Sequence, residues 1–154
     1  MPGLNRSAGS LPNRGFARRA APSTPQGAYT QVITSVITGG YAAEAVTAAG
    51  TVTIYCGPQG IGTVWYPQAI AISTTTGAAD ASTCTAYLSP LQNGTTLAPS
   101  TQIVGQSYAG GGDTIGIAVP PMRAGMFLVC VWTGAKSGDL AAMQVYGQQG
   151  ALAA

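Results

Sequence analysis

From Tyr29 onward the chain repeats one pattern: short runs rich in Val, Ile, Thr and Tyr, each closed by Gly, Pro, Asn or Asp. β-Branched and aromatic side chains suit a pleated, half-buried backbone, and the closing residues supply turns, so each run predicts a strand. The runs lie at 29–38, 51–56, 62–75, 83–89, 101–108, 114–119, 126–133 and 140–147. Between them stand Gly39-Gly40, Gly57-Pro58, Gly77, Asn93-Gly94, Gly110-Gly111-Gly112-Asp113, Pro120-Pro121 and the stretch from Gly134 to Asp139. Pro67 interrupts the third run, which is therefore an edge strand or two strands meeting at a bend. The stretch 41–49 is Ala-rich and predicts at most one helical turn, because Gly and Thr flank it closely.

About eight short strands without a substantial helix predict an all-β fold, an antiparallel β-sandwich of jelly-roll or Ig-like type. Side-chain alternation refines this. In 126–133, Met126, Leu128, Cys130 and Trp132 share one face, and Phe127, Val129 and Val131 share the other. Apolar residues on both faces mark a central strand, buried on both sides or covered by a partner. In 140–147, Met143 and Val145 oppose Ala142, Gln144 and Tyr146, so only one face looks to a core. The short link between these two runs predicts a closing hairpin.

Residues 1–28 have a different texture. Pro2, Pro12, Pro22 and Pro25 alternate with Gly3, Gly9, Gly15 and Gly27, which excludes a long helix or ladder. The expected organisation is thus an extended arm, 1–28, ahead of a β-sandwich domain, 29–154. Leu4, Leu11 and Phe16 are the arm's apolar anchors, and Arg6, Arg14, Arg18 and Arg19 give it a charge of +4 with no acid. The body carries Arg123 and Lys136 against Glu44, Asp80, Asp113 and Asp139, which leaves −2. The arm's Arg- and Ser-containing, acid-free composition also fits a transit peptide. The expectation is instead that it docks along a groove, its guanidinium forks meeting carboxylates or carbonyls. Four arginines and one phenylalanine are thin for nucleic-acid recognition, so the expected partner is protein.

Charged residues make up 6% of the chain, against about 25% in an ordinary domain. Such a surface either hydrates through hydroxyls and amides or is covered by partners, including further copies of the chain. There is no histidine, which removes the commonest general base and metal ligand. Cys56, Cys84 and Cys130 have neither disulfide-framework nor zinc spacing and are expected to be buried free thiols. A carboxylate pair for glycoside cleavage would have to come from scattered residues such as Asp113 and Asp139, which read as turn formers. The glycine run before Asp113 is followed by no Lys and no helix start, so it is not read as a phosphate loop. Asn93-Gly94-Thr95 reads as a turn. The segment 45–79 is uncharged but broken by Thr, Gly, Gln and Pro, so no membrane span is expected. The chain is therefore expected to be no enzyme and to need no cofactor or metal. A carbohydrate-binding sandwich is the competing reading, with Trp65, Tyr66 and Tyr108 as candidate stacking residues.

The segments Gly57-Pro-Gln-Gly-Ile-Gly-Thr-Val-Trp-Tyr-Pro67, Ile72-Ser-Thr-Thr-Thr-Gly77, Tyr87-Leu-Ser-Pro-Leu91, Val104-Gly-Gln-Ser-Tyr108 and Val131-Trp-Thr-Gly134 carry a resemblance. Over residues 51–147 the chain is similar to small virion structural proteins of tailed bacteriophages. The resemblance implies a β-sandwich accessory protein assembled in the host cytoplasm and carried on the virion. Its partners would be major capsid, neck or tail proteins. It implies no particular functional residue. The basic arm favours decoration or stabilisation of the capsid or neck, by threading between larger subunits. The alternative is a tail component contacting the host surface.

Overall fold

The structure, a computed structural model, describes residues 31–90, 103 and 107–152. Ten strands run through them: β1 (Gln31–Val36), β2 (Tyr41–Ala45), β3 (Val52–Cys56), β4 (Thr63–Thr74), β5 (Thr83–Ser89), β6 (Tyr108–Ala109), β7 (Gly112–Gly116), β8 (Met122–Arg123), β9 (Phe127–Thr133) and β10 (Leu140–Leu152). A single 3-10 turn covers Gly77–Ala79.

Two antiparallel sheets form the sandwich. In the first, the two long strands β4 and β10 pair along nearly their whole length, from Ala141 opposite Thr74 to Ala151 opposite Thr63. Each then carries two half-length strands on its free edge. β2 and β1 line successive halves of β10, and β7 and β8 line successive parts of β4. The second sheet has the order β3-β9-β5-β6.

Setting aside β1 and β8, the partners are β5 with β6, β4 with β7, β3 with β9, and β2 with β10. That nesting is one long hairpin, its tip between β5 and β6, rolled up so that successive arches cross between sheets. The sandwich is therefore a jelly roll. An Ig-like order would set the first two strands side by side in one sheet. Here β2 and β3 lie in different sheets.

The core lies between the sheets. Trp65, Ile70, Ile72, Met143 and Val145 come from the first, and Ile54, Cys84, Leu128, Cys130 and Trp132 from the second. Each buried aliphatic of this set contributes about 1.5–3 kcal/mol, more than the ~1 kcal/mol net value of a ladder hydrogen bond. β9 sits between β3 and β5 and is buried on both faces, as its sequence predicts. Leu128, Cys130 and Trp132 face the core. On the outer face, Val129 is fully buried between Tyr55 and Tyr87, its partners in register, and Phe127 meets the Tyr55 ring edge-on at 5.7 Å.

Several expectations are corrected. Residues 41–45 form strand β2, not a helical turn, because β10 offers them a free edge and five residues cannot offset helix nucleation. β9 and β10 are not a hairpin. Both edges of each strand are already taken by other partners, so the 134–139 link crosses to the opposite sheet. That link runs beside the β2–β3 arch, with Ala135 N–H donating to Gly50 O at 2.9 Å and Gly138 N–H to Val46 O at 3.1 Å. The run assigned to 114–119 begins two residues earlier and ends at Gly116, β10 extends to Leu152, and β8 was not expected. The run assigned to 101–108 yields β6 at its end, while 101–102 and 104–106 lie outside the described residues.

Pro67 neither ends β4 nor puts it on a sheet edge. The register slips there, so that Gly147 faces Pro67 while Tyr146 faces Ala69. On the other edge, Pro67 falls in the gap between β8 and β7, where no ladder needs its missing N–H. Gly147 is required at the slip: a Cβ there would strike the Tyr66 carbonyl oxygen and lie 2.9 Å from Pro67 Cα.

Candidate functional site

Register places a line of side chains along the outer face of the first sheet. Met143 and Val145 face the core, so Ala142, Gln144, Tyr146 and Gln148 of β10 face outward. Opposite them, β4 supplies Ser73, Ala71 and Ala69, then the bulged Gln68. On the other flank, β2 supplies Ala43 and Tyr41, and Val36 of β1 stands opposite Gln148.

Small residues make the floor, and the larger side chains stand above it. Two adjoining clefts result. One, of about 310 Å³, lies among Tyr41, Ala71, Ser73, Ala142 and Gln144. The other, of about 550 Å³, lies among Val36, Gln68, Gln144 and Gln148. Tyr146 and Gln144 border both, so together they form one groove divided by the Tyr146 ring. Tyr41 and Tyr146 are 59% and 54% exposed, far more than a packed aromatic. Among the described residues, no charged side chain lines either cleft.

The stacking residues expected from the sequence sit elsewhere. Trp65 is fully buried and its indole N–H donates to Gln149 Oε1 at 3.1 Å, so it is a core residue with no face for a ligand. Tyr66 is half-buried, and its hydroxyl is enclosed without a partner. Tyr108 is half-buried in β6 and packs on the core of the second sheet. The arm residues Leu4, Arg6, Leu11, Arg14, Phe16, Arg18 and Arg19 lie outside the described residues. Tyr41 was missed because its Ala-rich surroundings read as helical. The outward Gln144–Tyr146 alternation was visible, but nothing marked it as a groove.

The remaining chemistry-bearing groups are arranged for structure. The three cysteines are free and buried on the inner face of the second sheet. Burial, with the neighbouring Cys130, pushes the Cys56 thiol up to about 12. Hydrogen bonding to Cys130 and burial also push the Cys84 thiol up. Neither is a nucleophile near neutral pH. Asp139 is buried and accepts the Thr76 N–H at 3.0 Å, tying the 134–139 arch to the end of β4.

Asp80 is also buried and accepts the Ser82 N–H at 2.9 Å. Burial pushes its carboxyl up, but the Thr74 hydroxyl, Ser82 and the Lys136 backbone outweigh burial and hold it below its ordinary value. The hydroxyl contributions are loose, since Thr74 Oγ1, Ser82 Oγ and Asp80 Oδ2 complete no well-aligned hydrogen bond. Asp113 is an exposed strand residue of β7 rather than a turn residue, and its carboxylate accepts the Thr114 N–H at 2.7 Å.

Among the described residues, no group of three or more Cys, Asp or Glu is placed to hold a metal ion. Nor, among them, is any helix long and apolar enough to cross a membrane. Comparison with protein-family models, with curated proteins and with solved structures returns no match.

Proposed function

We propose that the protein is a non-enzymatic accessory component of a virion of the tailed-bacteriophage type. In this reading it decorates or stabilises the capsid or neck and is attached through residues 1–28. The observation that carries the reading is the disposition of charge. Four arginines in the arm suit an acidic partner surface, yet the described part of the body exposes only two carboxylates, Glu44 and Asp113. Two exposed cations, Arg123 and Lys136, offset even these. Asp80 and Asp139 are buried and satisfy the protein's own backbone. The complement of the arm is therefore better sought on a different protein than on another copy of the body. A jelly roll with so few exposed charges is also suited to contact with neighbouring subunits over a large part of its surface.

Removal of residues 1–28 tests the attachment. The truncated body is expected to fold, with the circular dichroism of a β protein, and to be lost from purified particles. Incorporation at the full-length level would overturn the reading.

A further inference from the structure

The groove on the outer face of the first sheet goes beyond attachment, because nothing in the arm's chemistry uses it. We propose that it binds a neutral saccharide, with Tyr146 and Tyr41 stacking on sugar rings and Gln144 and Gln148 hydrogen-bonding their hydroxyls.

The lining selects this class of ligand. A pyranose has an apolar C–H face that packs on an aromatic ring, and an edge of hydroxyls that both donate and accept. Tyr146 stands between the two clefts with more than half of its surface exposed, and Tyr41, as exposed, borders the smaller one. Each glutamine amide offers two donors and an acceptor, matching the dual character of hydroxyls. Among the described residues, the amide of Gln144 makes one hydrogen bond, from its Nε2 to the neighbouring Val145 carbonyl at 3.3 Å, which leaves its oxygen available to a ligand. These groups project from paired strands, which limits the ordering cost on binding. The cleft volumes also fall within the ~300–1,000 Å³ usual for small-molecule sites.

Competing occupants fit less well. The basic arm, an acidic glycan or a nucleic acid would find no counter-charge in the lining. A lipid chain would cover the Ser73 hydroxyl and the Gln68, Gln144 and Gln148 amides without offering them hydrogen bonds.

The test uses the full chain on an array of neutral gluco-, galacto-, manno- and xylo-configured oligosaccharides, with sialylated and sulfated glycans as controls. Calorimetry then follows on any saccharide retained. Binding of at least one neutral oligosaccharide is expected. Tyr146→Ala should weaken it roughly tenfold, and Gln144→Ala several-fold. Both side chains point outward, so the melting temperature should be unchanged. Retention of charged glycans alone, no binding at millimolar saccharide, or affinity untouched by Tyr146→Ala would each overturn the proposal. Sedimentation separates one further outcome: if Tyr146→Ala dissociates an oligomer and no saccharide binds, the groove is a subunit interface and the proposal fails. Loss of particle attachment on deleting the arm would leave saccharide binding intact, so the two readings fail independently.

Discussion

Asp80 shows how a few residues at one end of the sandwich spend their polarity on the protein itself. Its Oδ1 takes the Ser82 N–H, and its carboxyl is held below the ordinary carboxylate value despite burial. Nearby, the Trp132 indole N–H donates to Gly110 O at 3.0 Å, and a Cβ at Gly110 would lie 2.8 Å from Trp132 Cδ1. The glycine thus lets the β6–β7 turn close onto the indole. A carboxyl depressed on folding stabilises above its unfolded value of about 3.9 and loses that contribution as pH falls through the folded value. The melting temperature of the protein should therefore drop below about pH 4. In Asp80→Asn that drop should be shallower and the stability at neutral pH lower. Parallel melting curves for the two proteins across that range decide it.

At the scale of elements, the β4–β10 ribbon organises the first sheet, and its weak point is the slip at Pro67. The bulge lets a proline sit in a long interior strand, and it brings the Gly147 backbone against Tyr66 and Pro67. Gly147→Val should force the two strands apart where their backbones are closest. A loss of at least about 2 kcal/mol in urea unfolding is expected, in the upper part of the ~1–3 kcal/mol range usual for overpacking a core or beyond it. Neutral behaviour would mean that the slip is not a structural constraint. Much of this was legible beforehand. Pro67 announced an irregularity, and the two-sided apolar pattern of 126–133 marked β9 as central. The strand at 41–45 was not legible, since its alanines favour a helix until β10 provides an edge to pair with.

For the whole molecule, charge separates the arm from the body. If the four arginines act as guanidinium contacts on a partner's acidic surface, Arg14→Ala, Arg18→Ala and Arg19→Ala together should cost about 0.5–1 kcal/mol per contact. The affinity for stripped particles would then fall roughly ten- to a hundredfold, with a flatter salt dependence. Occupancy unchanged from low to high salt would leave these arginines without that role. The charge-poor body is compatible with broad contact among neighbours, and the uncharged groove fits the same composition at the local scale.

The sequence by itself determined the class of the fold, the buried thiols and the division of charge, because these follow from local propensity, alternation and composition. Only the tertiary structure decided which strands pair, and so that the sandwich is a jelly roll. It also decided that β9 and β10 belong to opposite sheets, that Trp65 is core, and that Tyr41 and Tyr146 border one groove. The physical reason is register. Tyr41 and Gln144 are distant in sequence and become neighbours only when β2 fills the free edge of β10, a choice set by competition among strands rather than by any local signal.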